Sequence, residues 1–148
     1  MAEPELYDVF NDAAREQLSR AIAEAERNTS GELRLHVESR CKEDVLDRAA
    51  YIFEKLEMHK TVDRSGVLLY FALNDHKFAI LGDAGINSQL PPGTWDAVRD
   101  AMLPHFKQGA YVDGLTFGLK MAGELLSTKF PRKSNDQNEL SNEVSMGN

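Results

Sequence analysis

The chain has a single cysteine, Cys41, a single tryptophan, Trp95, and no apolar run near the roughly 18 residues that a membrane span requires. One thiol excludes an internal disulfide and every Cys-x-x-Cys zinc or redox motif, so Cys41 is expected to be an inert, partly buried side chain. Basic residues are scarce as well: 17 Lys and Arg stand against 24 Asp and Glu, a formal charge of -7. That surface lacks the basic footprint needed to displace phosphate counterions, which argues against nucleic acid and favours cationic ligands or metal ions. The four histidines, His36, His59, His76 and His105, show no HExxH or other paired spacing. No G-x-G-x-x-G, Walker loop, G-x-S-x-G elbow or Cys-x5-Arg phosphatase loop occurs either. The opening MAEPELYDVF has neither the basic nor the apolar stretch of a secretory signal, so no membrane insertion and a cytoplasmic location are expected.

What is present suffices for one core. A length of 148 residues, 42% of them hydrophobic and 28% charged, is the usual make-up of one compact domain. Phe10, Ala14, Leu18, Ala21, Ile22 and Ala25 recur at helical spacing, which predicts a helix over about 11–28 with Asn11 or Asp12 as its cap. Thr29-Ser30-Gly31 breaks it. Glu32 to Glu38 alternates polar and apolar residues, so Leu33, Leu35 and Val37 share one face of a half-buried strand at or near a sheet edge. A second helix, about 43–58, buries Val45, Leu46, Ala49, Ile52, Phe53 and Leu56; placed between two strands it is the crossover of a parallel βαβ unit.

The next strand, Val67 to Leu73, is almost continuously apolar, as a strand covered on both faces must be. Asn74-Asp75 supplies a turn into a second apolar run, Phe78 to Leu81, making an antiparallel hairpin. A two-residue turn sets Leu73 opposite His76, and counting back sets Gly66 opposite Asp83 and Ser65 opposite Ala84. After Pro91-Pro92-Gly93, a helix opening at Pro92 or Thr94 turns Trp95, Val98, Met102 and Leu103 inward and is ended or kinked by Pro104. Phe106, like Trp95, reads as a core residue. A last helix, about 110–128, carries Leu115, Leu119, Ala122 and Leu126 on one stripe. Residues 132–148 are rich in Asn, Ser and Glu with few apolar anchors, and are expected to form a disordered tail beyond a domain of residues 1–131. The fold expected is therefore α/β, a single mixed β-sheet built from the βαβ crossover and the hairpin, flanked by helices in the order α-β-α-β-β-α-α.

Four short segments in this order carry a family resemblance: Thr29-Ser30-Gly31-Glu32 at a strand entry, Arg64-Ser65-Gly66-Val-Leu-Leu-Tyr at the next, Phe78-Ala-Ile-Leu-Gly-Asp-Ala-Gly-Ile86 at a strand exit, and Tyr111-Val-Asp-Gly-Leu115 opening a helix. Together they resemble the TPM domain, over roughly Leu6 to Pro131. The family is named after thylakoid lumen, photosystem-repair and acetylcholine-receptor-modulating members, and the chain looks like its compact soluble bacterial branch. The resemblance implies binding of calcium or another divalent cation, and an acid phosphatase activity has been proposed for some members.

The topology points to one place independently of that resemblance. The start of the first strand, the start of the second and the end of the third share a sheet edge, which gathers Glu32, Asp63 and Asp83 from separate segments. Calcium and magnesium take several oxygen ligands, and Ser65, Asn87, backbone carbonyls and water can complete such a shell. Glu32, Asp63, Ser65, Asp83 and Asn87 are thus the candidate metal ligands; solvated acidic turns are the plain alternative. Arg64 either holds a phosphate or neutralises Asp63 and Asp83, and neutralisation is favoured. His36, flanked by Glu32, Arg34 and Glu38, is either a proton carrier or, more simply, part of a surface ladder of paired charges. Two function classes follow: a module in which calcium or magnesium orders the loops and so shapes a surface for a protein partner, and a metal-assisted phosphomonoester hydrolase.

Overall fold

The computed structural model describes residues 3–133 and 138–147. Among these, the elements follow as α1 Leu6–Val9, α2 Asp12–Ala25, β1 Glu32–Glu38, α3 Val45–Lys55, a 3-10 turn Met58–Lys60, β2 Gly66–Ala72, β3 Lys77–Gly82, α4 Ala84–Asn87, α5 Thr94–Lys107, α6 Tyr111–Lys129 and β4 Ser145–Met146. All seven expected elements are present in the expected order. The additional α1, α4 and β4 are too short to leave a periodic signature. Asn11 caps α2 through Oδ1, which accepts from Ala14 N at 2.9 Å, and Asp44 caps α3 by accepting from Leu46 N and Asp47 N.

The sheet is mixed, in the order β3-β2-β1-β4. β1 and β2 run parallel with Glu32 opposite Gly66, while β2 and β3 run antiparallel with Val67 opposite Gly82. That is the hairpin register the sequence predicts, and one step further the Asp83 N–H donates to the Gly66 carbonyl at 2.8 Å. The loop spans Leu73 to His76 rather than two residues, with His76 left-handed at φ 54°. Because it lengthens equally on both sides, the pairing does not slip.

One sheet face packs Leu33, Leu35, Val37, Val67, Leu69 and Phe71 against α2, α5 and α6. The other packs Leu68, Tyr70, Ala72 and Ala79 against Ala49, Ile52 and Phe53 of α3. β2 is thereby buried along its whole length, as its unbroken apolar run requires. Pro104 does not end α5, which continues to Lys107, since a missing N–H so late in a helix frees only the carbonyl one turn before it. Leu103 and Leu46, both expected to face inward, turn outward and are 37% and 55% exposed.

Two further expectations change. The polar face of β1 is interior: Glu32, His36 and Glu38 are 3%, 5% and 2% exposed. α3 and the C-terminal segment cover this face, and Glu32, His36 and Glu38 find partners in that segment, in Arg48 and Tyr70 and in one another, which offsets the usual cost of burial. The second change is the tail. Residues 134–137 and 148 of the expected disordered stretch lie outside the described residues, but 138–147 run along β1: β4 pairs parallel to it, His36 opposite Ser145 and Val37 opposite Met146. Val144 and Met146 pack on the main core and Leu140 on the α3 side, so the three apolar residues in this polar stretch are the ones that anchor it.

Candidate functional site

The hairpin brings Arg64 and Asp83 to the open end of the sheet. Arg64 adopts a left-handed backbone, φ 51°, at the entry to β2, and its guanidinium clasps Asp83: Nε to Oδ2 is 2.7 Å and Nη2 to Oδ1 is 2.8 Å. The paired carboxylate raises the Arg64 pKa further, by hydrogen bonding first and charge second. Asp83 also caps α4, its Oδ1 accepting from Ala84 N at 2.7 Å. Gly85 follows because nothing larger fits: a Cβ there would lie 2.0 Å from the Asp63 carbonyl oxygen. Beside the clasp is a cleft of about 400 Å³ with Ala50, Phe53 and Leu81 as its apolar part and Glu54, His59, Arg64 and Asp83 as its polar part.

The five nominated ligands are unequally engaged. Asp63, half-buried, is one residue from the clasp, and among the described residues its carboxylate makes no hydrogen bond or ion pair. Ser65 is 1% exposed and its Oγ has no partner among the described residues. Asn87 is committed, Nδ2 donating to the Gly82 carbonyl at 2.7 Å and Oδ1 accepting from Trp95 Nε1 at 2.8 Å, so Trp95 is a half-buried brace for the strand exit. Glu32 lies two strands from Asp83 and faces the C-terminal segment, its Oε1 accepting from the backbone N–H groups of Glu139 and Leu140. Among the described residues no group of three or more His, Cys, Asp or Glu is arranged to hold a metal ion. In this conformation the five do not form a single shell; Asp63, Ser65 and Asp83 cluster along the chain and hairpin, while Glu32 and Asn87 serve elsewhere.

Two buried networks were not legible in the sequence. Glu26, 6% exposed at the end of α2, accepts from Leu33 N at 2.7 Å through Oε2 and stands beside Glu32. Burial, with the charge of Glu32 added, pushes the Glu26 pKa up to about 8, and burial raises that of Glu32 as well. Glu26 continues the stripe of Leu18 and Ile22 by one more turn, the one sequence signal of its burial. The second network centres on Glu38, which receives His36 Nε2 at 3.1 Å, Arg48 Nε and Nη2 at 2.9 and 3.0 Å, and the Tyr70 hydroxyl. Burial acts to raise the Glu38 pKa, but these donors outweigh it and bring it down to about 2. His36 Nδ1 lies 2.8 Å from Ser145 Oγ, and its ring stacks on Tyr70 with centroids 5.9 Å apart. The surface ladder expected around His36 is therefore an interior one that ties β4 to β1.

A small mixed sheet with helices on both faces and a clasped acidic hairpin end defines a class of α/β domain, and the comparisons specify it. The profile of the TPM domain matches residues 6–125, and the chain belongs to that family. The NMR structure of the BA42 protein from the psychrophilic bacterium Bizionia argentinensis is 42% identical, covers 91% of this chain and 93% of its own, and superposes with a TM-score of 0.85. The N-terminal domain of a P. gingivalis protein, solved in solution, shares the fold at 21% identity and a TM-score of 0.67, over 81% of this chain and 78% of that one. No curated protein matches the chain. No helix among the described residues is long and apolar enough to cross a membrane.

Proposed function

We propose that this TPM domain is a divalent-cation-responsive interaction module whose site is the Arg64–Asp83 clasp. The observation that carries the reading is the state of the oxygens beside the clasp: among the described residues Asp63 has an unpaired carboxylate and Ser65 a buried, unpartnered hydroxyl, on either side of the arginine that occupies Asp83. Two carboxylates stand beside one guanidinium that pairs with Asp83 alone, which leaves a net negative charge for calcium or magnesium to satisfy. The Arg64 side chain is 52% exposed, so it can leave Asp83 for solvent at little cost, and the freed carboxylate with Asp63 then offers oxygens to the ion. Exchange at Arg64 moves the loop that carries Val62, a hydrophobic side chain 85% exposed beside the site, and that loop is the surface offered to a protein partner.

A second reading, metal-assisted phosphomonoester hydrolysis, draws support from the cleft itself, where Arg64 and His59 offer donors to a phosphate. The module ranks first because Glu54 and Asp83 line the same cleft and repel an anion.

Backbone-amide titration with calcium and with magnesium tests the site. Saturable shifts concentrated in residues 61–66 and 82–90, lost in Asp83→Asn and weakened in Asp63→Asn, are expected, with a stabilisation of about 2.7 kcal/mol at 100-fold excess over the dissociation constant. Unchanged shifts and melting temperature at millimolar cation overturn the module. Turnover of a generic phosphomonoester that vanishes on chelation and in Asp83→Ala places the hydrolase ahead of it.

A further inference from the structure

At the other end of the hairpin, beside the Leu73–His76 loop, the aromatic core opens to the surface. Phe71, Phe78, Phe106, Tyr111 and Leu103 line a cavity of about 170 Å³. Its rings hold each other in place: Phe78 meets Phe106 edge-on with centroids 4.7 Å apart, and Phe71 lies 5.0 Å from Phe106 and 5.5 Å from Tyr111. Apolar cavities of about 150 Å³ take up a single benzene ring, and an aromatic lining adds edge and face contacts for it.

The rim differs in kind from the lining. His76 and Lys107 are exposed and border the opening, and the Arg99 guanidinium stands 5.3 Å from the Phe78 ring centroid. In a chain of net charge -7 this is a local concentration of cationic and hydrogen-bonding groups around an apolar hole. His76 stands there with a left-handed backbone, φ 54°, a conformation that a non-glycine residue adopts at a cost in energy.

We propose that this cavity binds a small monoaromatic carboxylate, the ring seated among Phe71, Phe78 and Phe106 and the carboxylate at Lys107 and His76. The volume limits the apolar part to one ring, and the rim selects an anion over a cation or a neutral ligand. The site is independent of the Arg64–Asp83 clasp, from which the length of the hairpin separates it.

Phenylacetate is the probe, read by backbone-amide shifts. Saturable shifts confined to the residues around the cavity are expected in the millimolar range, with phenylacetamide and the Lys107→Glu protein each binding about fivefold more weakly, the loss that one exposed charge pair accounts for. Leu103→Trp, which fills the cavity from an exposed position, should abolish the shifts without altering the rest of the spectrum. Phenylacetate without saturable shifts, phenylacetamide binding as well as phenylacetate, or acetate reproducing the same shifts would each overturn the proposal.

Discussion

Arg64 and Asp83 meet through two parallel hydrogen bonds, Nε to Oδ2 at 2.7 Å and Nη2 to Oδ1 at 2.8 Å, while the same carboxylate caps α4. The two roles separate by substitution. Asparagine retains a capping oxygen but loses the charged pair, whereas alanine loses both. Asp83→Ala should therefore cost about 1–2 kcal/mol, the range for a lost N-cap, and Asp83→Asn distinctly less. Urea unfolding of the three proteins measures it; equal losses would show that the cap contributes nothing.

The hairpin was legible because two independent signals agreed. The continuous run in β2 could only be a strand covered on both faces, and the Asn74-Asp75 turn set a register that survived a loop two residues longer than supposed. The clasp followed from that register. The buried face of β1 did not, because strict alternation of Glu32, Arg34, His36 and Glu38 looks the same whether its polar side meets water or a partner. Its partners, Arg48, Tyr70, Glu26 and Ser145, come from four other segments, and only the tertiary fold brings them to it. The same blindness put Glu32 with Asp83: sharing a sheet edge was right, but β2 stands between them and the C-terminal segment claims the carboxylate.

That segment should matter to stability. Its composition suggests that deletion changes nothing, yet its amides at Glu139 and Leu140 satisfy Glu32, Gly147 N donates to the Val37 carbonyl at 2.8 Å, and Leu140, Val144 and Met146 are packed. Removing residues 138–148 uncovers the core surface those side chains cover and leaves the buried Glu32 carboxylate without its donors. A fall in melting temperature of about 5 °C or more is expected, the equivalent of one to two kcal/mol in a domain of this size. A truncated protein that melts with the full chain would show that the segment does not dock in solution.

Glu26 sets the alkaline side of the stability profile. Burial holds its proton in the folded state up to about pH 8, whereas the unfolded carboxyl loses it near 4.5. The unfolded state therefore binds fewer protons between these values, and stability falls as pH rises through that window. The total is on the order of a few kcal/mol, complete above pH 8. Glu26→Gln, which mimics the protonated carboxyl, should remain folded and flatten the slope between pH 5 and 8 in denaturant titrations at successive pH values. A wild-type profile already flat there would mean that Glu26 ionises freely.

Glu38 sets the acid side with the opposite sign. Its folded pKa, lowered to about 2 by His36, Arg48 and Tyr70, lies below the unfolded value of 4.5, so the folded state keeps the charge that the unfolded state gives up. The stability it contributes is complete above pH 4.5 and is lost as pH falls toward 2. With Glu26 acting above that range, the fold should be most stable near pH 4.5 to 5. Glu38→Gln strips the charge that Arg48 and Tyr70 were placed to meet. Because the carboxylate is 2% exposed and the Arg48 side chain is 29% exposed, the arginine can only partly turn to water. A loss of about 3 kcal/mol at neutral pH is expected, against about 1 kcal/mol for Tyr70→Phe, which removes one donor of several. The double variant should cost less than the sum of the two, since the charge that strengthens the Tyr70 hydrogen bond is already gone in Glu38→Gln. Strict additivity in that cycle would mean that the two side chains do not share this hydrogen bond, and the account of the low Glu38 pKa would have to be rebuilt on Arg48 and His36 alone.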